Sequence, residues 1–174
     1  MPAAEGEIHV YTFKEGVLSH IAHDLRLTLE RFRVRFEQET LSATFETDSL
    51  RVDGVMRTGE LDPQGLDAGQ RREIEHTLRT VILKTRRYPS ARLEARADPG
   101  TRVNDAVFSV SGELELAGER RSLSFDVRRE GAGFQTEIEL VPSQWGIRPY
   151  RALLGAIRLQ DRVRVVARLT PSND

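Results

Sequence analysis

Apolar and polar side chains alternate with a period of two over most of this chain, and one stretch with helical spacing interrupts the pattern. Leu25, Leu27 and Leu29 alternate with polar neighbours, as do Phe32, Val34 and Phe36, then Leu41, Ala43 and Phe45. Later runs repeat it at Phe108, Val110, Gly112 and Leu114, at Leu123, Phe125 and Val127, at Phe134, Thr136, Ile138 and Leu140, and at Val163, Val165, Ala167 and Leu169. Successive side chains of a strand point to opposite faces, so each run predicts a half-buried strand with one apolar face. Between Leu29 and Phe32 the apolar set changes parity. A continuous strand tolerates that only through a bulge or turn, here near Glu30-Arg31.

The interruption is a helix. Asp67 is suited to be its N-cap, Gln70 three residues on completes a capping-box pattern, and Ile74, Leu78, Val81 and Ile82 recur at steps of three and four. Arg71, Arg72, Glu75 and Arg79 fill the opposite face. Pro89 has no N–H and disfavours helical geometry at Tyr88, so the predicted helix covers about residues 68–86. Its apolar stripe has to be buried somewhere, which makes it an expected wall or plug of the sheet.

Turn residues fall between the runs. Ala117-Gly118-Glu119-Arg120 and Glu130-Gly131-Ala132-Gly133 each separate two alternating segments and predict antiparallel hairpins, and Asp98-Pro99-Gly100-Thr101 punctuates another pair. Short consecutive connections favour an up-and-down meander, and closure of such a meander removes its exposed edges. The expected fold is therefore mainly β, an antiparallel barrel of about eight strands with one helix, forming a single domain over residues 1–174. A barrel of that size is just wide enough to be packed solid or to hold one small or chain-like ligand.

Charge and motifs exclude several classes of function. The 26 basic residues balance 27 acidic ones, so no electrostatic footprint for nucleic acid is present. Cysteine is absent, which removes disulfides, thiolate nucleophiles and Cys-ligated zinc. The acidic start Met1 to Glu7 lacks a signal-peptide pattern and no apolar run approaches membrane-spanning length, so the expectation is a soluble cytoplasmic protein without an integral membrane segment. Neither a Gly-x-Ser-x-Gly elbow nor a phosphate-cradling glycine loop occurs, and no cofactor is expected. The arginine pairs at 71–72, 86–87, 120–121 and 128–129 have acidic neighbours and read as solvated surface.

The most suggestive polar cluster is His20, His23 and Asp24. On a helix the two histidines would share a face and could bind a metal with Asp24, whereas in a strand their odd separation would send the rings to opposite sides. The structural reading, in which Asp24 orients His23 or caps a turn, carries more weight, and no metal site is expected. Trp145, Tyr150, Leu153 and Leu154 form an unusually apolar segment that would serve either as a lid over a cavity or as a plug at the end of a core.

Several stretches in order resemble the YceI-like family of polyisoprenoid-binding, lipocalin-like proteins. They are the strand Ile8 to Phe13 with Leu18 to His23, the region Glu60 to Leu83 ending in Arg87-Tyr88-Pro89-Ser90-Ala91, the hairpin Val110 to Leu123, and Trp145-Gly146-Ile147 to Val165. The resemblance implies a lipocalin-like barrel with a helix at one side, enclosing an elongated apolar tunnel for a polyisoprenoid or similar chain. With the alternation, it makes Leu25, Leu27, Phe32, Phe45, Leu78, Phe108, Leu114, Phe125, Ile138 and Trp145 the expected tunnel lining. The expected function is non-enzymatic binding of a polyisoprenoid or other long apolar ligand, with no catalytic residues. The alternatives are a small metal-dependent or hydrolytic enzyme built on His20, His23 and Asp24, or a ligand-free interaction module. The expected partner is an apolar small molecule or isoprenoid lipid, not nucleic acid, and a homodimer is compatible with the sequence.

Overall fold

The computed structural model describes residues 4–15, 23–152, 154 and 157–171. In chain order the elements are β1 (Ala4–Glu15), β2 (Leu25–Leu29), β3 (Phe32–Glu37), β4 (Thr40–Glu46), β5 (Leu50–Arg57), β6 (Glu60–Asp62), α1 (Ala68–Thr77), β7 (Ser90–Ala97), β8 (Val107–Leu116), β9 (Glu119–Glu130), β10 (Gly133–Leu140), β11 (Arg151–Ala152) and β12 (Ile157–Pro171). One antiparallel sheet runs β3-β4-β7-β8-β9-β10-β12-β1-β2-β5-β6, with β11 paired to β12. Among the described residues twelve strands stand where about eight are expected. The excess arises where the chain bends and in two very short pieces, the three-residue β6 and the two-residue β11, which alternation cannot register.

The parity change is a corner. β2 pairs with β1 and β5 while β3 pairs with β4, and only Glu30 and Arg31 lie between them. Covalent continuity thus brings the two sides of the curl together in a half-barrel, although the hydrogen-bonded path among the described residues stays open there. Ser49, fully buried, holds the corner: its Oγ donates to Glu46 O (2.7 Å) and accepts from Arg31 N (3.0 Å), and its carbonyl accepts from Glu30 N (3.2 Å). Such pairing is what a buried hydroxyl requires.

The predicted hairpins form where the turn residues stand. Ala117 and Gly118, both at positive φ (50° and 81°), make the two-residue connection from β8 to β9, with the geometry whose twist suits paired strands. Gly112 has a different reason. Opposite Ala95 in the β7–β8 register, it lies where a Cβ would overlap the Glu94 carbonyl, so the two strands approach too closely for any side chain.

The helix is shorter than expected. Its capping box is present, Asp67 Oδ1 accepting from Gln70 N (2.9 Å) and Gln70 Oε1 from Asp67 N (2.9 Å). After Thr77, however, the chain widens into a π-helical turn over Leu78–Ile82, in which Leu83 N donates to Leu78 O (2.9 Å). The extra residue in that turn rotates the stripe out of phase. Ile74 and Leu78 pack on Leu25, Leu27, Val52, Val55 and Leu66. Val81 instead faces solvent, 59% exposed, while Ile82 and Leu83 pack against the larger core. Leu78 is only half-buried. Arg79 does not point freely outward either: it pairs with Glu75 (3.3 Å), whose other oxygen accepts Val52 N (3.0 Å) and ties α1 to β5.

The larger core lies on the inner face of β3, β4, β7, β8 and β9 and is centred on Val110 and Phe108. Trp145 belongs to it, 2% exposed, with Nε1 donating to Leu114 O at 2.9 Å.

Candidate functional site

Period-two alternation around a curled sheet gathers every apolar face on the inside. The cross-strand registers make this concrete: Phe45 opposes Ala91, Ala43 opposes Leu93, Phe108 opposes Val127, and Ile138 opposes Val165, which in turn opposes Val10. These faces do not pack solid. They leave a cavity of about 140 Å³ whose wall includes Ile8, Val34, Phe36, Ala43, Leu93 and Phe134. Gln135 and Thr136 are the polar residues of that wall, and the Thr136 hydroxyl is already committed to Asp126 O at 2.7 Å. Among the described lining residues no side chain is ionisable. Such a site can sequester an apolar ligand.

Aromatic rings shape the void. Phe108, on β8, meets Phe36 of β3 edge-on (centroids 5.9 Å, 69°) and Phe134 of β10 likewise (6.1 Å, 90°), the arrangement that ring quadrupoles favour. The Arg129 guanidinium covers Phe134 from 5.9 Å.

Of the ten residues expected to line a tunnel, Phe45, Phe108, Phe125 and Ile138 stand in the cavity wall. The other six do not. Leu25, Leu27 and Leu78 belong to the cluster beneath α1, where the helix fills the space against the inner face of β2 and β5. Phe32 opposes Phe45 in the β3–β4 register but packs where two clusters meet, outside the wall. Leu114 and Trp145 bond to each other within the larger core, outside the wall. Leu25, Leu27, Phe32 and Leu114 share the inward strand parity that sequence reports, while Leu78 and Trp145 lie outside the strands. Alternation fixes the face, while filling depends on what lies across the lumen. Val34, Phe36, Ala43, Leu93 and Phe134 were missed among the lining candidates for the same reason, although they sit in the same alternating runs. In the segment after Val141, Trp145 is a plug; Leu154 is fully exposed, Tyr150 is half-buried, and Leu153 lies outside the described residues.

The polar candidates separate. His20 lies outside the described residues. Burial holds the His23 imidazole below its ordinary pKa, the positive charges of Arg57 and Lys14 push the same way, and Asp24 opposes them. Asp24 secures the end of β1, its Oδ1 accepting Lys14 N at 2.7 Å. Among the described residues no three His, Asp or Glu side chains converge as a metal site. A polar group that sequence did not single out forms on the outer face: Thr28 Oγ1 donates to Asp53 (2.8 Å), Arg26 Nε donates to the same carboxylate (2.7 Å), and His9 Nδ1 lies 3.0 Å from Thr28 Oγ1. It joins β1, β2 and β5 and faces away from the cavity. Among the described residues no helix is long and apolar enough to cross a membrane.

A family model described as a YceI-like domain matches residues 12–170. Comparison with curated proteins finds no match. Solved structures with this fold include BcnA of Burkholderia cenocepacia, with a TM-score of 0.65, 14% identity and 94% of each chain covered. A polyisoprenoid binding domain from Saccharophagus degradans, implicated in plant cell wall breakdown, has a TM-score of 0.62 at 12% identity, covering 96% of this chain and 95% of that one. The YceI protein of Campylobacter jejuni has a TM-score of 0.54 at 12% identity, covering 82% and 83%. At such identities the likeness to these structures is one of fold.

Proposed function

This chain belongs to the YceI-like family, and on that premise we propose that it is a non-enzymatic binding protein that holds an apolar, chain-like ligand inside its curled sheet. The observation that carries the reading is the cavity: a void walled by Ile8, Leu93, Phe108, Phe125 and Ile138 with no ionisable side chain among its described lining residues. Each methylene that such a wall removes from water contributes about 0.8 kcal/mol, so affinity would come from area and selectivity from shape. An isoprenoid is the favoured ligand class, because a neighbour of the same fold is described as a polyisoprenoid binding domain. Catalysis by His23 and Asp24 has less support, since Asp24 is engaged by the β1 backbone and neither residue stands in the cavity wall.

The test is native mass spectrometry of protein purified without detergent, followed by lipid extraction. The proposal expects a stoichiometric apolar adduct, or uptake of one added isoprenol per chain with a higher melting temperature. Neither adduct nor uptake, in protein shown to be folded, would refute it.

A further inference from the structure

The cavity is small for a chain-like ligand. At about 140 Å³ it is close to the apolar void of about 150 Å³ that accepts a single benzene ring in an engineered protein. Two features keep it small. At one side of the inner face, Trp145 is buried and pinned by its bond to Leu114 O, with Ile147 packed beside it, so the indole occupies the interior there. In the cavity wall, the rings of Phe36, Phe108 and Phe134 stand in an edge-to-face row. Their strands, β3, β8 and β10, are three and two places apart in the sheet order, so the rings meet over the intervening β4, β7 and β9 and close that part of the wall. Phe108 is its centre and is almost fully buried, whereas Phe36 and Phe134 are half-buried. A longer chain either leaves its excess outside or, to reach deeper, has to displace this row. That costs the ring contacts, each worth about 0.5–1.5 kcal/mol beyond area burial.

We infer that Phe108, braced edge-on by Phe36 and Phe134, sets the length of chain the lumen accepts and restricts the ligand to about one or two isoprene units. This rests on the lumen being the ligand site. It assigns to Phe108 a role in specificity, exerted by direct contact with the ligand's leading end.

Geraniol, farnesol and geranylgeraniol, with two, three and four isoprene units, are titrated by calorimetry into the wild-type protein and the Phe108→Leu variant. In the wild type affinity does not rise from geraniol to geranylgeraniol, because the added methylenes stay outside and remove no further apolar area from water. In an unobstructed lumen each added methylene would tighten binding roughly fourfold. Phe108→Leu shifts the optimum to farnesol or beyond. If leucine at 108 prevents folding, Phe36→Leu, at the half-buried end of the row, carries the same expectation. Affinity that rises from geraniol to geranylgeraniol in the wild type overturns the inference while leaving the lumen as the binding site. An unchanged order in folded variants overturns the role of Phe108. No binding of any of the three to the wild type refutes the lumen reading itself, and the length rule falls with it.

Discussion

Replacement of Trp145 by phenylalanine isolates what plugs one end of the core. The indole is 2% exposed and its Nε1 donates to Leu114 O at 2.9 Å, so the substitution deletes one buried hydrogen bond and the smaller part of a bicyclic ring. A typical intramolecular hydrogen bond contributes about 1 kcal/mol net. The two ring carbons lost contribute about 1.5 kcal/mol at 0.8 kcal/mol per buried carbon. The sum, about 2–3 kcal/mol, is a large part of the stability of a marginal domain. Urea denaturation followed by circular dichroism reads it, since Trp145 is the chain's only tryptophan and the variant has no tryptophan fluorescence. With a slope of about 2 kcal/mol per molar, the midpoint falls by about 1 M. Leu154→Ala, from the same apolar segment but fully exposed, is the control and leaves the midpoint within about 0.5 kcal/mol of wild type. Equal midpoints for Trp145→Phe and wild type would show that the indole bond and packing are not holding this end together.

Leu27→Ala, in the cluster beneath α1, lowers stability by about 2–5 kcal/mol, whereas Leu78→Ala, half-buried on the π turn, costs less than half as much; parallel denaturation curves check it, and equal losses would place Leu78 in the core after all. Gly112→Ala forces β7 and β8 apart and destabilises toward the upper end of about 1–3 kcal/mol, which a thermal melt reads; an unchanged melt would contradict the close approach at Glu94. His23 has a folded-state pKa below that of the unfolded chain, chiefly through burial. As pH falls below about 6.5 the unfolded state binds the proton first, so the contribution of His23 to stability is complete above that pH and is lost on descent through the folded pKa. Stability between pH 7 and 5 therefore falls less steeply in His23→Gln than in wild type, and identical slopes would remove His23 from the acid response.

Strand positions, hairpins, the corner at Glu30-Arg31 and the capping box at Asp67 were legible because each depends on local chemistry: parity, turn residues, or a side chain reaching three residues along. The π turn was not. Leu78, Val81 and Ile82 fit an α-helical stripe, and only the packing of Ile82 and Leu83 into the larger core shows that the backbone widened to place them. The lining of the cavity was half legible for a related reason. Parity turned Leu25, Leu27 and Leu114 inward as surely as Phe45 and Phe108, but whether an inward residue meets a void is decided by the elements opposite it. For Leu25 and Leu27 that element is α1, and for Leu114 it is Trp145. The outer polar group of Arg26, Thr28, Asp53 and His9 escaped notice because its members are spread over three strands and converge only through the registers β1–β2 and β2–β5.

The central claim is that an apolar ligand occupies the interior bounded by Phe45, Phe108, Phe125 and Ile138. Intermolecular nuclear Overhauser effects between bound geraniol and isotope-labelled phenylalanine rings measure this directly. The account predicts contacts from the ligand methyls to Phe45, Phe108 and Phe125, with none to Phe13 on the outer face, whose ring lies under Arg162. Ligand contacts confined to Phe13 or to other outward residues, with the interior rings silent, would contradict it.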